Sequence, residues 1–301
     1  MPITLIENFR AVFYAPFYAC AALGAYRAEG LEVTMRVSAA AEKTLTTGDV
    51  SWGGPLRVLK ALDGNPGAGY VAFCEVVGRD PFFLLGRTPN PQFELNELIG
   101  TRVAVVSEVP TPWICLQYDL RRAGIDPAAI ALTPARSMAE NAAALRAGDV
   151  DVIQVFQPYA RELIDAKAGH VWYAAANRGL TSYTTFNSTR GFIEKNPEAA
   201  LRMTRAMYRT QKWIAAHDGR ALAEAIAAYL PDVPLPVLAA CCNDYKSLGL
   251  WNANPVMRRE GLEWLRDAML AAGYIKTELA FEQCVEMRFA EQAVRDDPPS
   301  M

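Results

Sequence analysis

Three short stretches of this 301-residue chain carry side chains suited to holding a small molecule. The first is GDVSWGGPLRVLKAL, residues 48–62. A strand-like DVSW enters two glycines and a proline, then a helically spaced LRVLKAL. At such a turn the backbone N–H groups of Ser51, Gly53 and Gly54 face out at a helix start, where the dipole favours an anion or a carbonyl oxygen. Glycine also lets a ligand approach the backbone closely. A plain strand-to-helix connection with Pro55 at the first helical position reads the same way. Trp52 fits equally as a stacking wall or as a strand residue facing the core.

The second stretch, ENFRAVFYAP, places Asn8, Phe9, Arg10, Phe13 and Tyr14 just after a first strand. Its rings suit a flat ligand, and Arg10 carries the fork that pairs with a carboxylate or sulfonate. Packing of the following helix and a plain surface charge are the alternatives. The third, FCEVVGRDP, sets Glu75 at the end of an apolar strand, where a carboxylate is costly unless paired. It either accepts from an amine or pyrimidine of a ligand or pairs with Arg79. As an isolated cleft acid it would have a raised pKa and be the best general acid/base in the chain. Asp80, before Pro81, reads as a turn residue.

Composition narrows the partners. A formal net charge of −3 gives no basis for binding nucleic acid or an anionic membrane. No apolar run approaches the roughly 20 residues of a membrane span, so direct membrane insertion is not expected. Cys20, Cys74, Cys115, Cys241, Cys242 and Cys284 show no metal-ligand or CxxC spacing and read as buried hydrophobes. His170 and His217 have no ligand partner at useful spacing, so neither metal nor cofactor is expected. MPITLIENF lacks the parts of a signal peptide, which places the chain as written in the cytoplasm, or in the periplasm if a leader has been removed.

The elements that must position these residues alternate. ITLIEN, LEVTMRV, DVSW, GYVAFCEVV and FFLLGR read as strands; APFYACAALGAYRAEG, ended by Gly30, a short piece around AAEKTLTTG, and residues 55–62 read as helices. TPNPQFELNE, within residues 88–97, breaks the pattern and marks a first crossing between lobes. The alternation then restarts from TRVAVV to HVWYAA. LTTGDVSWGGP and LRAGDVDVIQVFQP correspond as helix end, Gly-Asp-Val, strand and proline turn, equivalent places in two similar lobes. YTTFNSTRGF returns as a strand, and the chain is helical from residue 194 to a frayed AVRDDPPSM tail. This predicts an α/β fold with lobe 1 over residues 1–88, lobe 2 inserted over 89–183, and a return to lobe 1 with C-terminal helices over 184–301. Small ligands bind outside the carboxyl ends of parallel strands and between lobes. The loops at 7–16, 51–56, 75–80, 107–114, 156–159 and 181–187 therefore carry the interest.

FYAPFYACAALGAYRAEGLEVTM, GDVSWGGP, LRAGDVDVIQVFQPY and FIEKNPEAALRMTRAMYRTQKWI occur in an order that resembles the type II periplasmic-binding-protein-like superfamily. The branch resembled contains sulfonate, taurine and thiamine-pyrimidine solute-binding proteins and the thiamine-pyrimidine synthases. The resemblance covers roughly residues 3–275 and implies a two-lobed fold with a ligand cleft. It also adds second-lobe positions. Thr111, with Pro112 after it, reads as an N-cap whose hydroxyl is either spent on the helix or turned to an anionic ligand, and Trp113 as cleft wall or core. Gln157 stands where relatives often have Glu; Tyr159, Tyr183 and Thr184 complete the cleft set.

The departures matter too. The cysteine run of the pyrimidine synthases is missing, and Cys241-Cys242 falls in the late helical region. In a related aromatic sulfinate desulfinase a cysteine nucleophile follows the first strand; Phe9 stands there here, with Cys20 about three turns further into a helix, so that chemistry does not carry over. The resulting expectation is binding of a small polar, aromatic or anionic molecule (pyrimidine, sulfonate or carboxylate) as the solute-binding component of an ABC-type uptake system, handing it to a permease. A cytoplasmic enzyme on the same fold, or a ligand sensor, is the alternative.

Overall fold

The structure is a computed structural model and describes residues 2–38, 45 and 48–301. In the described residues the first sheet contains β1 (Pro2–Glu7), β2 (Glu32–Val37), β3 (Val50–Gly53) and β4 (Tyr70–Val77). The second contains β5 (Phe83–Gly86), β6 (Arg102–Ala104), β7 (Ala131–Leu132), β8 (Val152–Val155) and β9 (His170–Ala174). The chain then returns to the first sheet as β10 (Thr184–Thr189). The strand orders are β2-β1-β3-β10-β4 and β7-β6-β8-β5-β9.

These orders correspond place by place. β1 pairs in parallel with β2 and β3, as β6 does with β7 and β8. β10 and β5 are the antiparallel strands, each lying between two others. The two Gly-Asp-Val stretches lead into β3 and β8, the middle strand of each sheet. Both middle strands are buried along their whole length, the pattern of a sheet covered on both faces.

Helices cover those faces. α1 (Ala15–Ala22) and α2 (Ala25–Ala28) follow β1, α3 (Leu56–Gly64) follows β3, and α4 (Thr111–Arg122), α5 (Met138–Ala147) and α6 (Tyr159–Asp165) lie between β6 and β9 in the chain. After β10 come α7 (Arg190–Lys195), α8 (Pro197–Ala216), α9 (Gly219–Ile226), α10 (Leu235–Ser247), α11 (Arg259–Ala271), α12 (Phe281–Cys284) and α13 (Arg288–Asp296). α8 buries Ala199, Ala200, Met203, Ala206, Met207, Thr210 and Ile214, an apolar stripe at helical spacing that packs on α1 and β4.

Four expectations need correction. The first long helix is interrupted at Gly24, whose φ of +74° is a left-handed conformation open to glycine, so α1 and α2 are separate. β5 belongs to the second sheet, so the chain leaves the first sheet after Val77 and the expected boundary at 88/89 falls too late. The tail is tied down, not frayed: Lys212 pairs with Asp297 and donates to the Pro298 carbonyl at 2.7 Å. Trp52 faces the core, wholly buried and stacked on Phe17 with ring centroids 4.8 Å apart. The helix expected around AAEKTLTTG lies almost wholly outside the described residues.

The two passages between sheets run side by side. Thr181 N donates to Gly78 O, Tyr183 N to Val77 O and Ala175 N to Phe82 O, each at 2.9 Å.

Candidate functional site

A cavity of about 430 Å³ opens where loops from both sheets meet. β1 delivers Asn8 and Phe9 and the turn behind them Phe13 and Tyr14; β3 delivers Gly54 and the start of α3; β6 delivers Glu108, Val109, Pro110 and Thr111; the passages between sheets deliver Phe82 and Tyr183. These loops converge because each follows the carboxyl end of a strand near the middle of its sheet. Two helices, α3 and α4, begin at the cavity wall, so both dipoles present their positive ends to it.

The floor is aromatic. Behind the cavity's own rings Phe9, Phe13, Phe82 and Tyr183, Phe156, which follows β8 and lines an adjoining space, lies edge-on to Phe13 and to Phe82, with centroids 5.2 Å apart in each pair. Tyr183 meets Phe13 at 88° and 6.0 Å, and Phe9 lies nearly parallel to Phe156 at 6.1 Å. Such edge-to-face pairs order the rings beyond what their burial alone achieves.

Charge enters from one side of α3. Arg57 and Lys60 both line the cavity, one helical turn apart. Lys60 Nζ donates to the Tyr274 carbonyl at 2.6 Å and lies 5.1 Å from the Tyr274 ring centre. Burial pushes the Tyr14 hydroxyl up to about 12, opposed by its hydrogen bond with Asn8 and by the nearby Arg57 charge. Gly54 packs close to the opposite passage: a Cβ there would sit 3.3 Å from the Tyr183 carbonyl oxygen.

Of the residues singled out in the sequence, Asn8, Phe9, Phe13, Tyr14, Gly54, Thr111 and Tyr183 line this cavity. Thr111 is the first residue of α4 and makes no capping hydrogen bond, contrary to the N-cap expectation. Arg10 and Tyr159 line an adjoining space instead. Ser51, Gly53 and Thr184 are buried in β3 and β10, and Trp113 packs on the core of the second sheet. Gln157 is buried against α10: its backbone N donates to the Tyr245 hydroxyl at 3.0 Å and its Nε2 to Asp244 at 2.9 Å. Arg57, Lys60, Tyr70, Phe82, Glu108 and Tyr274 were not singled out. The i, i+3 spacing of Arg57 and Lys60 on an amphipathic helix was visible, but it reads as a solvated face.

Glu75 sits in β4, 2% exposed and away from the cavity. Its partner is Asn252, which donates to Oε2 at 2.6 Å, whereas Arg79 donates to the Ala176 carbonyl. Burial pushes its carboxyl up to about 7, against the pull of Asn252 and Arg258. The folded protein thus holds this proton up to about pH 7, while the unfolded chain releases it near the usual 4.5. The stability it contributes is complete below pH 4.5 and falls as pH rises through 7, by on the order of 3 kcal/mol. Glu75→Gln should therefore flatten the difference between urea midpoints at pH 5 and pH 8 and be the more stable protein at pH 8. An unchanged difference would refute this assignment.

The cysteines are all buried and unpaired. Cys20, in α1, is wholly enclosed, and burial pushes its thiol up to about 12, far from a reactive thiolate. Among the described residues no group of three or more His, Cys, Asp or Glu side chains converges as metal ligands, and no helix is long and apolar enough to cross a membrane.

Two topologically matching α/β sheets, joined by paired passages and with a cavity where their strand ends meet, give this chain the two-lobed fold of the type II periplasmic-binding-protein-like structures it aligns with. Residues 94–228 match the NMT1-like family. The chain is 24% identical over 301 residues to YtlA of Bacillus subtilis (strain 168), named as a binding protein, covering 98% of this chain and 90% of the relative. Among solved structures, the periplasmic aliphatic sulphonate binding protein SsuA of Escherichia coli aligns with a TM-score of 0.75 at 16% identity, over 94% of this chain and 96% of the other. A mutant of DSZB in complex with biphenyl-2-sulfinic acid aligns with a TM-score of 0.73 at 15% identity, over 97% and 99%.

Proposed function

We propose that this protein binds a small aromatic anion, of the carboxylate or sulfonate class, in preference to a neutral pyrimidine, as the solute-binding component of an ABC-type uptake system, and hands it to a membrane permease. The observation that carries the reading is the 430 Å³ cavity, with its aromatic floor, two helix starts and the Arg57–Lys60 side. A ring slides between apolar faces, while its anionic group meets helix dipoles and a guanidinium that cost no reorganisation. The sulphonate and sulfinate named for SsuA and DSZB are anions of the kind such a site would hold.

Thermal unfolding with benzoate, benzenesulfonate and 4-aminopyrimidine tests it. A ligand that binds the folded state alone stabilises by about 2.7 kcal/mol at a hundred times its Kd. At least one of the two anions should raise Tm and be recovered unchanged. No shift with any of them would overturn the reading, and a compound recovered at a new mass would replace binding with catalysis.

A further inference from the structure

We infer that the cleft takes a two-ring anion whose charged group lies between its rings, as in an ortho-substituted biaryl acid. The inference rests on the binding reading above and extends it to the shape of the ligand. The cavity of about 430 Å³ falls among those that hold drug-sized ligands, and a one-ring acid would leave much of it unfilled. It is also long. Tyr183 lies at one end of β4, its N–H donating to the Val77 carbonyl, whereas Tyr70 opens the strand at the other end. β4 has 8 residues, so these ends stand roughly 23 Å apart, yet both tyrosines line the same cavity. Their side chains reach inward over part of that span, and the remainder still exceeds the length of a single aromatic acid.

α3 runs along this length and sets the order of what a ligand meets. Gly54, just before it, packs beside the Tyr183 carbonyl, at the end that holds the aromatic floor. Arg57 follows in the first turn, and Lys60 and Ala61 in the second. Beyond them the walls are Leu45, Tyr70 and Tyr274, all half-buried and packed on the apolar core that α3 shares with α11. Lys60 Nζ is shared between the Tyr274 carbonyl at 2.6 Å and Asp63 at 3.7 Å, which offsets its charge at this outer end. The order along the cleft is therefore rings, guanidinium, rings. An acid with its charge at one tip either leaves one set of rings uncovered or carries its charge in among apolar walls. A biaryl with its charge beside the link between the rings avoids both costs.

Isothermal titration of the full chain with benzoate, biphenyl-2-carboxylate and biphenyl-4-carboxylate tests this. Wild type should bind biphenyl-2-carboxylate about tenfold tighter than either of the others, the gain from burying a further ring while the charge stays paired. In Ala61→Phe, which fills the outer end, that acid should fall to the affinity of benzoate, and benzoate should bind as before. Tyr70→Ala, which removes an outer wall without adding bulk to α3, should shrink the preference as well. If benzoate binds wild type at least as tightly as both biaryl acids, the two-ring inference fails and the anion reading stands. Tightest binding of the 4-isomer would overturn the central position of the charge. A preference that survives in both variants would mean that the outer end does not hold the second ring, and the inference fails again. If none of the three acids binds, the inference falls, and with it the carboxylate form of the binding reading.

Discussion

Arg178→Ala should lose on the order of 3–5 kcal/mol of folding stability, the cost of stranding buried charges by removing their partner. Arg178 is 4% exposed at its side chain and holds two carboxylates at once. Nη1 donates to Asp80 at 2.6 Å, and Nε donates to Asp119 at 2.9 Å. Its guanidinium also lies 5.0 Å from the Trp264 ring centre. One side chain therefore joins the passage out of the first sheet, α4, the turn after β9 and α11. Asp80 is wholly buried, and burial already raises its pKa despite the Arg178 charge. Without that charge the carboxyl should hold its proton to higher pH. The folded state would then bind the extra proton, and the deficit should grow as pH rises from 5 to 8. Urea denaturation at both pH values reads this directly. Arg178→Lys restores the charge without the fork and should recover part of the loss. A variant within about 1 kcal/mol of wild type at pH 8 would show that the triad is dispensable.

Arg57→Gln should weaken binding of an aromatic carboxylate or sulfonate about 10- to 100-fold, the range of a hydrogen bond to a charged group. Arg57 stands in the first turn of α3, half-buried at the cavity wall, and its charge reaches the Tyr14 hydroxyl. Raising the salt concentration should weaken wild type more than the variant, since the variant has lost the cation being screened. Titration calorimetry at two ionic strengths separates the cases. Equal affinities, or equal salt dependence, would place the anion elsewhere in the cleft.

Much of the fold was legible because each strand announces itself locally. GYVAFCEVV and VDVIQVF are apolar runs bounded by glycine or a turn, and the repeated Gly-Asp-Val marks the middle strand of each sheet. The site was legible only where it lies beside a strand end. Asn8, Phe9 and Gly54 could be placed near the cavity because loops at carboxyl ends of parallel strands converge. Which way a strand residue faces was not legible: Trp52 and Glu75 point into packed surroundings because of neighbours far away in sequence, Phe17 for one and Asn252 for the other. Lys60 and Tyr274 meet across 214 residues, and no local pattern reports such a pair. Asp80 does serve its turn, accepting from Phe82 N at 3.0 Å, but its bond to Arg178 was invisible for the same reason.

The correspondence of the two sheets has a consequence for the order in which a growing chain can finish them. β4 pairs within its sheet with β10 alone, and β3 needs β10 on one side. β10 emerges only after every strand of the other sheet has been made. A nascent chain elongated as far as Gly179 holds all the strands of the second sheet, whereas the first still has a gap beside its middle strand, between β3 and β4. Until Thr184–Thr189 arrives, the apolar edges of Val50–Gly53 and Tyr70–Val77 stand open to any other strand in reach. The piece that closes the gap is also the strand entered from Tyr183, so completing the first sheet and fixing one wall of the cleft are a single event.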